Sequence, residues 1–199
     1  MTETAHQRHA SEREAATCTV DAREFRGVLG HFPTGVVVIT ACGPDGEPAG
    51  MTIGSFTSVS LDPPLVAFLP AKTSATWPRI RAAGSFCANI LGAGQEGLVK
   101  RFATSGADKF AGIDWAPGPS GHPVLPGVPA WIDCTVERVD DAGDHWIVLG
   151  LVRALEADAS HPGPLVFCRG ALGRFVAAGR GGAGDLADWD GADHRSWWW

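Results

Sequence analysis

The segment GMTIGSFTSVSLDPPLVAF, residues 50–68, contains the pattern on which the interpretation of the whole chain depends. Its first half predicts a strand, yet hydroxyl side chains occupy both faces of that strand: Thr52, Ser55, Thr57, Ser58 and Ser60. Each hydroxyl that is taken out of water needs a hydrogen-bond partner, so such a strand does not suit an apolar core. Two interpretations are open: an edge strand with solvated hydroxyls, or one wall of a polar ligand site.

Apolar runs elsewhere predict a chain dominated by strands. They lie at residues 35–42, 65–70, 85–91, 130–139 and 145–157, and PLVFCRG and ALGRFVA form a last pair. Short helices are predicted from Asp21 to near Pro33, at 72–84 and at 95–103. Most strands follow one another through hairpin turns, and the helices are too few to cover both faces of a parallel sheet. The pattern therefore favours an antiparallel Greek-key barrel with a few peripheral helices.

Composition excludes several classes of partner and site. The chain has 199 residues and a net charge of −6, and its lysines and arginines are scattered, which argues against nucleic acid or a polybasic membrane surface. No apolar run is long enough to span a membrane. The five cysteines are odd in number and include no C-x-x-C pair, so we expect reduced thiols, a cytoplasmic location and no protein-bound metal.

A glycine pattern at residues 92–97 raises the possibility of a dinucleotide-binding fold. Gly92, Gly94 and Gly97 form G-x-G-x-x-G between a predicted strand and a predicted helix. A Rossmann fold requires a second strand after that helix, with an acidic residue for the ribose, but Asp114 lies in a predicted loop. We therefore expect these glycines to form an ordinary strand-to-helix turn.

Several segments, taken together and in order, carry a family resemblance: FPTGVVVIT, the segment 50–68, TSATWPRI, SFCANIL, QEGLVKRFA, DKFAG and AGDHWIVLG. From about residue 21 to 178 the chain resembles the flavin reductase family of FMN-binding split barrels. The resemblance implies a mainly β fold, a six-stranded antiparallel Greek-key split β-barrel, and a homodimer. It also implies an NAD(P)H:flavin oxidoreductase that supplies diffusible reduced flavin to a partner monooxygenase. The flavin is FMN or FAD, and the co-substrate is NADH or NADPH.

The same resemblance implies which residues bind the flavin. Two segments would line the isoalloxazine ring, largely through main-chain groups: Pro33, Thr34, Gly35 and Val36, then Thr52, Ile53, Gly54, Ser55, Phe56, Thr57 and Ser58. Relatives often have Ser or Asn at the position of Gly54. Further contacts would face the ribityl chain and phosphate: Lys72, Ser74, Asn89, Leu91 and Gln95. Phe102 would shape either this pocket or the core.

Hydride transfer from a nicotinamide to a flavin requires stacked rings and stabilised charge rather than an acid–base pair. Within Gly143-Asp144-His145, an ordinary hairpin turn is one interpretation. The resemblance implies instead that His145 is the catalytic residue and orients the nicotinamide, with Arg174 as a weaker candidate nearby. The alternatives are an oxidase of the pyridoxamine-phosphate type and a non-catalytic flavin- or haem-binding split-barrel module.

Two terminal segments fall outside the resemblance. Residues 1–19 predict a disordered leader, residues 20–178 the barrel domain, and residues 179–199 a flexible tail rich in Gly and Asp. The tail ends in Trp197, Trp198 and Trp199. A disordered end or cloning remnant is the favoured interpretation of these tryptophans, and docking on the flavin or on a partner is the alternative.

Overall fold

The computed structural model describes residues 20–106, 108–161 and 163–176, which are mainly strands. Three helices are present in this part of the chain: α1 (Ala22–Leu29), α2 (Trp77–Ala83) and α3 (Glu96–Ala103). The strands are β1 (Thr34–Gly35), β2 (Val37–Cys42), β3 (Pro48–Ile53), β4 (Thr57–Leu61), β5 (Pro64–Phe68), β6 (Ser85–Ile90), β7 (Ala116–Pro117), β8 (Pro123–Val124), β9 (Ala130–Ala142), β10 (His145–Ala157), β11 (Leu165–Cys168) and β12 (Ala171–Arg174). The predicted leader at 1–19 and tail at 179–199 lie outside the described residues.

The main sheet has seven strands in the order β3-β2-β6-β9-β10-β5-β4, and every neighbouring pair in it is antiparallel. A second sheet joins β1, β11 and β12, and β7 pairs with β8. None of the helices among the described residues has both the length and the apolar character that crossing a membrane requires. The mainly β, antiparallel architecture that the sequence predicts is confirmed.

The two edges of the seven-stranded sheet are consecutive in the chain. In a flat sheet β3 and β4 would lie about 29 Å apart, since neighbouring strands are about 4.8 Å apart. Only residues 54–56 join Ile53 to Thr57, and those four Cα steps reach at most about 14 Å. The sheet must therefore curl until its edges approach each other, which makes it a barrel that is split between β3 and β4.

The continuity of one strand corrects an expectation. The sequence predicts residues 51–61 as one strand. The structure breaks that segment at Gly54-Ser55-Phe56, so that β3 forms one edge of the sheet and β4 forms the other. The hydroxyl side chains of this segment lie on the two edge strands and on the link between them. None of them therefore has to be buried in the middle of the sheet.

The apolar run GVVVITAC is buried on both faces because β2 separates two cores. Val37 and Ile39 point into the barrel, where they pack with Phe68 and Phe86. Val38, one residue out of phase, points outward into a second cluster beneath α3 that includes Leu91, Phe102, Leu125 and Leu165. Alternating side chains of one strand therefore reach opposite cores, which is why the run lacks the apolar–polar alternation of a half-exposed strand.

A buried histidine fastens the loop after β7 to the barrel. The main-chain N–H of Cys42 donates to Nδ1 of His122 at 3.0 Å, so Nδ1 carries no proton. Nε2 then carries the proton and donates to Oγ of Ser85 at 2.6 Å. Burial lowers the pKa of His122, and the nearby Asp133 carboxylate opposes that shift only partly. The fold therefore holds His122 neutral.

This geometry predicts an acid-sensitive fold. A histidine in the unfolded chain has a pKa near 6.5, and the folded-state pKa of His122 lies below it. The unfolded chain consequently binds more protons at low pH, so the contribution of His122 is complete above that pKa and declines as the pH falls below it. We expect the thermal unfolding midpoint of the wild type to fall more between neutral and mildly acidic pH than that of His122→Gln, whose amide keeps both hydrogen bonds without titrating. Equal decreases in the two proteins would show that His122 is not the responsible group.

Candidate functional site

A cleft of about 470 Å³ opens at the split of the barrel. Its walls come from the end of β3, the link to β4, the segment after β5 and the β9–β10 hairpin. The residues lining it are Met51, Thr52, Ile53, Gly54, Ser55, Leu69, Ala71, Ser74 and His145. Five of the predicted site residues thus meet in one place with the predicted catalytic histidine: Thr52, Ile53, Gly54, Ser55 and Ser74.

The β3 wall of the cleft offers unpaired main-chain groups. β3 is an edge strand and pairs with β2 on one side only. The carbonyl of Gly50 points away from β2, because it accepts a hydrogen bond from Nζ of Lys109 at 3.0 Å. Strand groups repeat with a period of two residues, so the N–H and C=O of Thr52 also point away from β2. A flat ligand with alternating donors and acceptors on its edge can pair with such a strand.

The hydroxyl side chains of the cleft mainly hold its walls in place. Oγ of Ser55 accepts from the N–H of Leu69 at 3.0 Å and donates to its carbonyl at 3.3 Å, which ties the β3–β4 link to the end of β5. Oγ1 of Thr52 donates to the carbonyl of Val99 in α3. Oγ of Ser74 accepts from the N–H groups of Thr76 and Trp77 at the start of α2, which leaves its proton available to a ligand.

Gly54 forms a part of the cleft lining that has no side chain, here called the floor. A Cβ atom at this position would lie 3.2 Å from Oγ1 of Thr34, closer than most such contacts. Thr34 belongs to β1, which pairs with β11 in the second sheet, so its hydroxyl reaches the barrel edge from outside. The hydroxyl of Thr34 thus lies beside the position that a side chain at residue 54 would take.

His145 enters the cleft from the β9–β10 hairpin. Gly143, with φ of +67°, forms the turn before it, and a bridge pairs His145 with Ala71. Nδ1 of His145 lies 2.7 Å from Oδ1 of Asp144. A carboxylate can only accept, so Nδ1 carries the proton, and this hydrogen bond lowers the pKa of Asp144. With Nδ1 engaged and 42% of the side chain exposed, Nε2 is the ring nitrogen left to meet a ligand.

Lys72 is oriented differently from the expectation that it faces a phosphate. Its ammonium forms an ion pair with Asp141 at 2.5 Å and lies 4.9 Å from the centre of the Trp146 ring. Both partners belong to the hairpin that carries His145. In this structure the Lys72 side chain therefore points to the hairpin rather than into the cleft.

Four predicted ligand residues are engaged within the protein, three of them buried and Gln95 partly exposed. Asn89 is fully buried, donates to main-chain and side-chain oxygens around Thr40 and Pro123, and accepts from the N–H of Leu125 at 2.8 Å. Leu91 and Phe102 belong to the second core. The amide of Gln95 bridges the N–H of Gly92 and the carbonyl of Pro126. The side chains of all four are used within the fold, and Phe102 occupies the core position that was one of its two interpretations. Their assignment as flavin contacts stays a prediction.

The remaining predicted residues are distributed around the cleft or away from it. Phe56 packs against the barrel core and Val36 is buried in the second core, whereas Thr57 and Ser58 are exposed on β4. Pro33 and Gly35 are exposed next to Thr34. Arg174 is exposed on β12, in the second sheet, and does not line the cleft. Sequence reasoning missed Met51, Leu69 and Ala71, because apolar side chains carry no chemical signature. Their position next to predicted strand ends was the signal that could have identified them as cleft residues.

The glycine pattern at 92–97 is an ordinary turn, as the sequence predicts. A Cβ on Gly92 would lie 1.9 Å from Cε1 of His161, so this glycine makes room for the imidazole ring. The Gly92 N–H is occupied by the Gln95 side chain rather than free to bind a phosphate. Gly94 has a φ of +96°, which favours glycine in the turn.

Chemically, the cleft combines apolar walls, unpaired strand groups, a floor without a side chain and one histidine at the mouth. Asp144 is the carboxylate nearest to His145 in the sequence, and it does not line the cleft. These groups fit a planar heterocycle whose edge forms hydrogen bonds with β3. A second ring can then stack on its open face. The cleft offers no nucleophile–base couple within the residues that line it.

Comparisons with known proteins give a consistent picture. Residues 29–175 match the family model described as "Flavin reductase like domain". The chain is 50% identical over 164 residues to a flavin reductase of Pseudomonas putida, covering 82% of this chain and 96% of the relative. It is 49% identical over 152 residues to the reductase subunit HsaB of a flavin-dependent monooxygenase of Mycobacterium tuberculosis, covering 76% and 81%. Among solved structures, the NADH:FAD oxidoreductase SgcE6 of Streptomyces globisporus, in complex with NAD and FAD fragments, has a TM-score of 0.75 and 38% identity, with 80% of this chain and 96% of that chain covered.

The buried position of Asn89 yields a test that separates structural from ligand-binding polar residues. Asn89→Ala leaves the buried N–H of Leu125 without its partner and removes the buried amide's bonds to Val38, Thr40 and Pro123, so we expect the free energy of unfolding in urea to fall by about 2–4 kcal/mol. Flavin affinity of the folded variant, measured by fluorescence quenching, should stay within about twofold of the wild type. Unchanged stability together with weakened flavin binding would place Asn89 in the ligand site.

Proposed function

The chain belongs to the flavin reductase like domain family and is an NAD(P)H:flavin oxidoreductase, and we propose that the cleft at the barrel split is the place where its two ring systems meet. The observation that carries this proposal is the convergence of the free edge of β3, the open floor at Gly54 and His145 on one cleft. Bound flavin, FMN or FAD, supplies the hydride acceptor, and NADH or NADPH supplies the hydride.

β3 would hold the flavin ring through its main chain. The unpaired N–H and C=O of Thr52 match the alternating donors and acceptors along the ring's pyrimidine edge. A main-chain donor aimed at the side of the ring where negative charge develops stabilises the product without any change in protonation of the protein. Gly54 would allow the ring to approach the chain closely, and the free hydroxyl proton of Ser74 would face the ribityl chain.

His145 would orient the nicotinamide over that ring. Asp144 fixes Nδ1 as the protonated nitrogen, so Nε2 presents a defined group to the incoming co-substrate. Hydride transfer depends on the distance and alignment of the two rings, so a group that fixes the position of the nicotinamide acts on the rate directly. Its place at the mouth of the cleft agrees with a co-substrate that must enter and leave in each cycle.

We place the enzyme as the reductase component of a two-component monooxygenase, as the name of the Mycobacterium tuberculosis relative suggests. Reduced flavin would then leave the open cleft and diffuse to the oxygenase. A reducing cytoplasm fits the four described cysteines, Cys42, Cys87, Cys134 and Cys168, which are all free thiols. Burial raises the pKa values of Cys87 and Cys134 to about 12, so neither is a ready thiolate.

An exposed apolar surface supports the proposed homodimer. α1 has no buried residue, and it exposes Phe25 by 56% and continues to Phe32, which is exposed by 72%. The N–H of Arg169 donates to the carbonyl of Gly30 at 2.8 Å, which holds the end of α1 beside β11 and its exposed Phe167. A second copy of the chain that covers this surface would remove several large apolar side chains from water.

The activity is tested by following NADH and NADPH oxidation with FMN, FAD or riboflavin added. We expect oxidation that depends on added flavin. His145→Ala should retain the flavin affinity of the wild type, while kcat/KM for the nicotinamide falls by about 10- to 100-fold because the ring loses its positioning group. His161→Ala is the matched control, since His161 packs on Gly92 and does not line the cleft. A His145→Ala protein with wild-type turnover would contradict the role assigned to His145, and flavin binding without any turnover would favour a binding module.

The dimer is tested by light scattering after gel filtration. We expect a mass of twice the 20.8 kDa chain for the wild type. Phe25→Glu combined with Phe32→Glu should shift the protein to single chains, because two charges then lie on the surface that must be desolvated. Leu61→Glu is a matched control. Leu61 is 71% exposed, about as much as Phe32, but it lies on β4 and not on the surface around α1. A wild type that elutes as a single chain at micromolar concentration would disprove the dimer.

A further inference from the structure

The ion pair of Lys72 links two segments that are far apart in sequence and adjacent at the cleft. Lys72 lies between β5 and α2, in the segment that also contributes Ala71 and Ser74 to the cleft. Its ammonium contacts Asp141 on β9 and the ring of Trp146 on β10. Asp141 and Trp146 face each other in the hairpin register, so a single side chain holds both strands of the hairpin.

Main-chain bonds place this contact directly around His145. The N–H of Lys72 donates to the carbonyl of Asp144 at 2.9 Å, and the N–H of Trp146 donates to the carbonyl of Pro70 at 3.0 Å. The bridge between Ala71 and His145 lies between these two bonds. These bonds continue the β5–β10 pairing in the same register, and the hairpin tip beyond His145 has no other strand beside it among the pairings of the described residues.

We propose that Lys72 is a positioning residue for hydride transfer: it holds the β9–β10 hairpin against the segment 70–74 and so fixes His145 at the mouth of the cleft. The inference rests on the proposed role of His145. Lys72 acts through the hairpin and does not itself touch the reacting rings.

The charges of the hairpin explain why a lysine is useful at this point. The turn DDAGD carries three carboxylates, and each has its own cationic or imidazole partner. Asp140 pairs with Arg138, Asp144 with the ring of His145, and Asp141 with Lys72. The hydrogen bond from Lys72 lowers the pKa of Asp141, which keeps that carboxylate charged and the pair intact. Without Lys72 an unpaired carboxylate would face an incoming dinucleotide, whose pyrophosphate is also anionic.

The alternative role of Lys72, a contact to the flavin phosphate, makes an opposite prediction for riboflavin. Riboflavin has no phosphate, so loss of a phosphate contact would weaken FMN binding and leave riboflavin binding unchanged. Loss of the hairpin contact would affect the nicotinamide with either flavin as acceptor. The two roles therefore separate in a single set of kinetic measurements.

The experiment compares Lys72→Met, Asp141→Asn, the double variant and Lys72→Arg in steady-state NADH oxidation with riboflavin and with FMN. We expect the first two to raise KM for NADH by about three- to tenfold with both acceptors, the scale of one exposed ion pair with a cation–π contact. Flavin Kd should be unchanged. The double variant should show no larger effect than either single variant, because both remove the same contact. Lys72→Arg should be close to the wild type.

Arg138→Met is the matched control, since the Arg138–Asp140 pair lies on the same hairpin and makes no contact with the segment 70–74. It should leave KM for NADH unchanged. Weakened FMN binding with normal riboflavin binding in Lys72→Met would overturn the proposal in favour of a phosphate contact. Wild-type kinetics in Asp141→Asn would overturn it as well.

Amide hydrogen exchange over residues 140–147 separates this proposal from the proposed function. Lys72→Met should exchange faster there than the wild type and Arg138→Met, whether or not NADH is turned over. Unchanged exchange would show that Lys72 does not hold the hairpin. If Lys72→Met exchanges faster but His145→Ala keeps full turnover, Lys72 holds the hairpin and the role proposed for His145 is wrong.

Discussion

The short link between β3 and β4 is the constraint on which the rest of the structure depends. Gly54, Ser55 and Phe56 must connect the two edge strands of a seven-stranded sheet, which forces the sheet to curl. The same three residues then lie at the split, where the sheet cannot close. Phe56 anchors the link in the barrel core, Ser55 ties it to Leu69, and Gly54 leaves the surface bare. A cleft with an unpaired strand edge is thus a direct consequence of how the barrel is connected.

Polar side chains either hold the fold together or face a ligand, and the two roles look alike in sequence. Asn89 and His122 are saturated by internal hydrogen bonds and fasten the loops over the second core. The cleft itself relies on main-chain groups of β3 and on few side chains. A flavin's ring edge is matched by main-chain groups as well as by amides, and a rigid strand places such groups without side-chain entropy. The reaction thus needs a well-fixed backbone more than a set of reactive residues.

The sequence predicted the architecture well because its signals are local. Alternation and hairpin turns sufficed for an antiparallel barrel, and the hydroxyls of the segment 50–68 suggested a polar ligand site as one of two interpretations. The family resemblance then named Thr52, Gly54, Ser55 and Ser74. The predicted side chains that the structure does not direct into the cleft have partners that are distant in sequence. Asn89 was assigned to the ligand because its bonds to Pro123 and Leu125 depend on a loop whose path is not encoded locally. Lys72 was assigned to a phosphate because its partner Asp141 lies 69 positions away.

The β3 wall of the cleft is held more firmly than the hairpin that carries His145, and this difference suits the proposed roles of the two walls in hydride transfer. β3 is paired along its full length with β2, and its neighbours are buried in the cores, so the wall that would hold the flavin is part of the barrel. His145 lies at the last pair of the ladder that β10 forms with β5 and the segment after it, and exposed ion pairs are the side-chain contacts near this tip. The flavin ring must be held still while the hydride is transferred to it, which suits the first kind of wall. A nicotinamide that arrives reduced and leaves oxidised in every cycle needs the second, because contacts that are too rigid or too extensive would slow its release.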